Sequence, residues 1–212
     1  MKLCVFGGTG ATGGHIINIA KSQGYDVVAL ARRPEVLKQS FPNIEVVQGD
    51  VFKPETIKAA LVDSDAAIST IGPVGRSRQT DIFSVGVLNI ANVMQDLGKR
   101  RLIVAVSLIG LDPQPDVPWH TKIFSRLILI PVLGYQYRDT EKMKEKILRL
   151  DNLDWTLAGL PMLTNDKPSG HFRSSIGRLH HPSRISRADL ASYLVSIINE
   201  PATFKQWTEV SW

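Results

Sequence analysis

The sequence predicts an α/β fold: a doubly wound parallel sheet with helices on both of its faces. Three observations carry this. Six short apolar, β-branched runs recur along the chain, segments with helical spacing separate them, and the first junction between the two is the glycine-rich stretch VFGGTGATGG at residues 5 to 14. Strands that are apolar throughout, rather than alternating with polar residues, belong to a sheet covered on both sides.

The first run, Leu3 to Phe6, ends at the glycines, and Gly13 to Ser22 follows with helical spacing. Val27 to Leu30 and Glu35 to Ser40 form the second strand and helix. Ile44 to Val47 leads to Pro54 to Leu61, where Pro54 suits a first helical turn because its missing N–H is no loss there. Ala66 to Ser69 precedes Asp81 to Leu97, Leu102 to Val106 precedes Asp139 to Leu150, and Trp155 to Ala158 is the sixth strand. Beyond it, Gly159 to Pro182 is rich in Gly, Pro, His and Ser. Long irregular stretches are commonly functional, so residues 159–185 are expected to wall a substrate pocket. Ser186 to Ile198 then has helical spacing, with Ser186 as N-cap and Asp189 three residues on in the manner of a capping box. No repeat or linker divides the chain, and residues 1–212 read as one domain.

Composition narrows the partners. Of 212 residues, 43% are hydrophobic and 21% charged, an ordinary globular balance. Lys and Arg exceed Asp and Glu by 25 to 20 without interleaved aromatics, which argues against a nucleic-acid surface. Cys4 is the only cysteine, so no internal disulfide forms and a reducing compartment fits. The opening residues MKLCVFGG carry no export signal, and the longest apolar stretch, Leu127 to Leu133, is too short for a bilayer. The expectation is a cytoplasmic protein with no membrane contact.

The glycine loop is the main chemical signal. Gly8, Gly10 and Gly13 fit GxGxxG, and Gly7, Gly10 and Gly13 fit GxxGxxG. Either spacing, between a strand and a helix, lets the backbone approach a pyrophosphate at the helix N-terminus, as in Rossmann-like dinucleotide sites. The loop residues Gly7, Gly8, Thr9, Gly10, Ala11, Thr12 and Gly13 are therefore candidate cofactor contacts, with a structural turn as the alternative. After the second strand, where an acid would hold a free ribose 2′-hydroxyl, stand Arg32 and Arg33. A guanidinium pairs with a 2′-phosphate, so the expected cofactor is NADP(H); a solvated surface charge is the alternative for Arg33 in particular. Ligands of open α/β sheets lie at the carboxyl ends of the strands. That rule nominates Asp50 and Val51 beside the adenine, Ser69, Thr70, Ile71 and Gly72 along the cofactor, and Ser107 near the nicotinamide. Asp50 can equally cap the following helix, and Ser107 can be a plain strand-end serine.

GGTGATGG, ALARRP, VVQGDVF, AISTIG, VLNIANVM, VAVSLIG and ISRADLA, in this order, resemble the atypical short-chain dehydrogenase/reductases over nearly the whole chain. Within them the chain is most similar to the flavin reductase-like group typified by biliverdin-IXβ reductase, and more distantly to the NmrA-like proteins. The resemblance implies NAD(P)H binding and assigns Ser107 to the serine after the fifth strand, a candidate catalytic residue that would orient the nicotinamide or a substrate carbonyl. Where the biliverdin-IXβ reductases carry a pocket histidine after the sixth strand, this chain has Leu163.

The Tyr–Lys pair of the wider superfamily is missing. Positions four beyond Tyr25, Tyr135, Tyr137 and Tyr193 are Ala29, Asp139, Glu141 and Ile197. Lys142 lies five beyond Tyr137, about 140° around a helix and on another face. The expected chemistry is hydride delivery to a flat conjugated acceptor of flavin, quinone or tetrapyrrole type, where charge spreads over a ring system and water supplies the proton. The alternative is a nonenzymatic NADP(H) sensor of NmrA-like type with a protein partner. Arg76 and Arg78 in GPVGRSRQ are placed over the cofactor or in solvent, and Pro118 to Tyr135, with Trp119 and Phe124, as pocket wall or lid. His171, His180 and His181 can line the pocket but do not form a metal site.

Overall fold

The computed structural model describes residues 1–73, 81–107 and 130–212. Seven strands run parallel: β1 Lys2–Phe6, β2 Asp26–Ala31, β3 Glu45–Gln48, β4 Ala66–Ser69, β5 Arg101–Ser107, β6 Asp154–Leu160 and β10 Gln206–Ser211. With the antiparallel β8, Arg173–Ile176, they form one sheet in the order β3-β2-β1-β4-β5-β6-β10-β8. A separate pair joins β7, Met162–Thr164, to β9, Arg184–Ser186.

Strand order reverses between β1 and β4, so chain leaving these two strands diverges and opens a crevice at their carboxyl ends. The register lines those ends up. Phe6 pairs with Leu30 on one side and Ser69 on the other, Ser69 with Val104, and Ser107 with Leu160. Every loop nominated from the sequence therefore leaves the same edge of the sheet.

The helices are α1 Ala11–Ser22, α2 Pro34–Ser40, α3 Pro54–Leu61, α4 Leu88–Asp96, α5 Ile130–Ile147 and α6 Arg187–Ser196. Successive side chains of β1 point to opposite layers. Leu3 and Val5 pack with Ile16, Ile17, Leu190 and Leu194 of α1 and α6, whereas Cys4 and Phe6 pack with Ile57, Leu61, Ile90 and Met94 of α3 and α4. Two buried layers on one sheet explain why these strands read as unbroken apolar runs.

All six expected strands are present. The helix expected over Asp81 to Leu97 begins as a π turn, Ile82–Val87, before α4. Asp139 of α5 occupies its start, its carboxylate accepting the Phe83 and Ser84 N–H groups at 2.9 Å each. The fifth helix starts nine residues ahead of the expected Asp139, at Ile130. The irregular stretch after β6 holds β7 and β8. Among the described residues, no helix is long and apolar enough to cross a membrane.

Candidate cofactor and substrate site

The glycine loop resolves between its two possible spacings. Gly7 has φ +89°, and a Cβ there would lie 2.9 Å from the Thr70 carbonyl carbon. Only glycine makes this turn without strain. At Gly13 a Cβ would collide with the Gly7 carbonyl oxygen and come within 2.7 Å of Gly8 Cα. Gly10 is the exposed N-cap of α1, with the Gly10 N–H closing the turn onto the Gly7 carbonyl at 2.9 Å. Gly8 is buried against Ile17, Leu37 and Ala29, so its missing side chain serves the core. The 7, 10, 13 spacing is thus the one in which turn, exposed backbone and close helix packing fall on glycine.

No side chain caps α1, and its first turn holds no acid. Its opening N–H groups lack helical acceptors and carry the positive end of the dipole. Bare backbone, absent Cβ atoms and uncapped amides fit a dinucleotide pyrophosphate.

Two hollows flank the loop. Gly8, Thr9, Gly10 and Ala11 line a groove of about 300 Å³ between α1 and α2, opposite Leu37 and Phe41. Arg32 and Arg33, both exposed, follow the end of β2, and Arg33 is the N-cap of α2. Among the described residues neither guanidinium is held in an ion pair. On the other side, Thr12, Thr70, Ile71, Gly72 and Ser107 line a cavity of about 200 Å³. Phe83, Leu160, Leu163 and Leu190 make its apolar walls, and Gln136, Tyr137 and Thr140 of α5 its third side.

Seven nominated residues, Gly7, Gly13, Arg32, Arg33, Asp50, Val51 and Ser69, line neither hollow. Ser69 is fully buried, and its hydroxyl has no partner among the described residues. The Asp50 carboxylate accepts the Phe52 N–H at 3.1 Å and holds a turn, while the Val51 carbonyl accepts the Asn89 side-chain amide at 3.0 Å. His171, His180 and His181 are exposed and line neither hollow. Arg76, Arg78, Trp119 and Phe124 lie outside the described residues.

The structure adds residues that sequence reasoning did not assign to the site. Tyr137 and Thr140 stand three apart on one face of α5. Burial pushes the Tyr137 phenol above its ordinary pKa. Asp189 precedes the cavity-lining Leu190 and organises the chain that follows β7. It is buried beneath the 165–170 segment, its Oδ2 accepting the Ser169 N–H at 2.9 Å, the Ser186 hydroxyl at 2.9 Å and the Trp212 indole at 2.7 Å, and its Oδ1 the Gly170 N–H at 3.0 Å. Burial pushes this carboxyl up, but the Ser169, Trp212, Gly170 and Ser186 donors outweigh burial and hold it below the usual range. The expected cap is present, with the Asp189 N–H donating to Ser186 Oγ at 3.0 Å.

Residues 7–201 match a family model described as NAD(P)H-binding. Among curated relatives, the photosystem II assembly factor Ycf39 of Synechocystis is 29% identical over 169 residues, 76% of this chain and 44% of that protein. The chain therefore spans under half of that relative. An uncharacterized chloroplast protein of Arabidopsis thaliana is 24% identical over 96% of this chain and 74% of its own. Solved structures share the fold. The oxidoreductase ylbE of Lactococcus lactis superposes with a TM-score of 0.80 at 20% identity, covering 100% of this chain and 90% of its own. ChuY, an anaerobillin reductase of Escherichia coli O157:H7, gives 0.77 at 20% identity over 100% and 97%. A short-chain dehydrogenase/reductase of Veillonella parvula in complex with NADP gives 0.77 at 16% identity over 100% and 94%.

Proposed function

The chain belongs to the NAD(P)H-binding family, and from that premise we propose that it is an NADPH-dependent reductase of a flat conjugated acceptor of flavin, quinone or tetrapyrrole type. The observation that carries the reading is the cavity beside the loop. Thr12 and Thr70 on the loop side face apolar walls from Phe83, Leu160, Leu163 and Leu190, a lining matched to a planar apolar ring system.

Within this reading the Gly7-to-Gly13 loop and the start of α1 hold the pyrophosphate. Arg32 and Arg33 meet the 2′-phosphate, and no acid stands there to repel it. Thr70, Ile71 and Gly72 run along the cofactor, and Ser107, at the end of β5, orients the ring edge. When bound, NADPH would supply a hydride, and water would supply the one proton that completes reduction of the acceptor. What the residues contribute is orientation of two flat groups and exclusion of solvent. The structural relative ChuY, named as an anaerobillin reductase, and the NADP complex of the Veillonella protein support this choice.

A second reading keeps the cofactor and drops the turnover. The relative Ycf39 is named as an assembly factor, and on that model the chain is an NADP(H)-responsive binding protein. Purified protein mixed with NADPH and, in turn, flavin mononucleotide, menadione and biliverdin separates the two. NADPH oxidation at the nicotinamide absorbance band is expected with at least one acceptor; tight NADPH binding without any oxidation overturns the reductase reading and leaves the second. Replacing Arg32 and Arg33 by Ala should weaken NADPH by about tenfold or more and leave NADH nearly unchanged, and equal losses would refute the 2′-phosphate assignment.

A further inference from the structure

The cationic excess of the chain is concentrated in one stretch. Residues 167–187 hold five Lys and Arg and no Asp or Glu, an excess as large as that of the whole chain, together with three of its five His. The fold gathers the middle of this stretch at one edge of the sheet. Arg173 of β8 donates to the His180 and His181 carbonyls at 3.3 Å each and to the Trp212 main-chain oxygen at 3.2 Å, and the Arg184 guanidinium lies 5.6 Å from the centre of the Trp212 ring. Both arginines are exposed, as are Arg178, His180 and His181. The two acids that fold back on the stretch face inward: Asp189 and Glu209 are 1% and 3% exposed and accept the N–H groups of Ser169, Gly170 and Leu179. Among the described residues neither Arg173 nor Arg184 is held in an ion pair. The patch presents side-chain charge of one sign.

An open strand runs through the patch. β8 ends the sheet, bonded to β10 on one side and, among the described residues, to no strand on the other. Its outer edge offers a row of backbone N–H and C=O groups able to bond a further extended chain. We propose that this edge docks an acidic extended segment of a partner protein, which adds as a strand beside Arg173–Ile176 and sets its carboxylates against Arg173, Arg178 and Arg184. Backbone bonds of the added strand give affinity, and the charge selects the partner and speeds encounter. A second copy of this chain fits poorly, because antiparallel pairing of β8 with itself brings Arg173 of each copy to the Ile176-to-Arg178 end of the other. A lipid or nucleic-acid surface uses the cations but leaves the strand edge unbonded, so the edge favours a peptide. Docking at β8 is independent of the reductase reading, since none of these residues lines either hollow.

The test is fluorescence anisotropy of the whole chain with labelled peptides about eight residues long: alternating Glu–Val, alternating Lys–Val, and Glu–Val with every backbone amide N-methylated, which keeps the charge and removes the strand donors. Glu–Val should bind with a Kd below about 1 mM at low salt and weaken several-fold as ionic strength rises from about 0.05 to 0.3 M. Lys–Val should not bind, and N-methylation should cost at least about tenfold. The double variant Arg178→Glu with Arg184→Glu should lose about tenfold or more for Glu–Val, with its fold checked by circular dichroism. The three peptides on wild type decide the matter even where that variant does not fold. No binding of Glu–Val, equal binding of Lys–Val or of the N-methylated peptide, or a folded double variant that binds like wild type would each overturn strand docking. Binding of phosphatidylserine vesicles or of a single-stranded oligonucleotide in place of Glu–Val would overturn it too and reassign the patch.

Discussion

Asp189→Asn should destabilise the protein by about 4 kcal/mol at neutral pH, and the contacts set the size. The amide oxygen of Asn replaces Oδ2 and keeps the Ser169, Ser186 and Trp212 donors, but as neutral bonds. The amide nitrogen then faces the Gly170 N–H, donor against donor, in place of a 3.0 Å bond. Orphaning one buried donor costs about 1–3 kcal/mol, and the lost charge assistance on three bonds adds a similar sum. Asp189 is 1% exposed, so solvent does not screen the loss. For a domain of this size the melting temperature should fall by about 8–16 °C. Urea unfolding followed by far-UV circular dichroism measures the difference, and repeating it in acid adds a sign check. The folded carboxyl lies below its unfolded value, so its stabilisation is complete above the unfolded pKa of about 3.9 and is lost as pH falls through the folded pKa. Wild type and variant should therefore converge below about pH 3.9. A gap under about 1 kcal/mol at pH 7, or one undiminished in acid, would refute the idea that this carboxylate ties Ser169 and Gly170 to α6 and to Trp212.

The loop and the far end of the sheet give two further expectations. Gly13→Ala should lower stability by about 2–3 kcal/mol and NADPH affinity at least tenfold, because its Cβ has no room beside Gly7 and Gly8. Gly14→Ala, whose Cβ would meet Phe41 at 3.6 Å, should be neutral or stabilising, and fluorescence titration of NADPH against both variants checks the contrast. Arg101, its pKa lowered by burial to about 10, bonds the Ile197 and Ile198 carbonyls at 2.7 and 2.9 Å and Thr156 at 2.8 Å. Arg101→Met should cost about 3 kcal/mol in urea unfolding yet leave NADPH affinity intact, since it begins the strand that Ser107 ends, about 20 Å away.

The parts legible in the sequence are those whose signal is local. Five of the six strands, all but the edge strand β3, lie inside the sheet and are covered on both faces, so their burial appears as continuous apolar runs, as with Cys4 facing one layer and Val5 the other. β10 is as buried but does not look it. Its QWTEVS sequence turns Thr208, Glu209 and Ser211 into the interior, where Glu209 accepts the Leu179 N–H at 2.8 Å and the Trp207 indole at 3.1 Å, and Ser211 Oγ accepts the Ser183 N–H at 2.9 Å. The Leu179 and Ser183 donors come from the stretch between β8 and β9, so neither half of the arrangement reads as structure without the other. The glycine loop is legible for the same reason that β10 is not: its turn, its exposed backbone and its packing glycine lie within seven consecutive residues.

The cavity draws on residues from 12 to 190 and offers no such run. Its two departures from local regularity, the π turn at Ile82–Val87 and the unpartnered Tyr137 hydroxyl, lie on elements joined by one carboxylate, that of Asp139. A chain under no functional demand has simple remedies for both: a regular helix needs no buried acid at its start, and phenylalanine fills the place of Tyr137 without an orphaned oxygen. Local rules are broken most often where a site requires it, at a cost met by packing elsewhere. Asp139 anchors α5 by satisfying two buried amides of the π turn, so one carboxylate fixes both the element that brings Phe83 and the element that brings Tyr137 and Thr140 to the cavity wall.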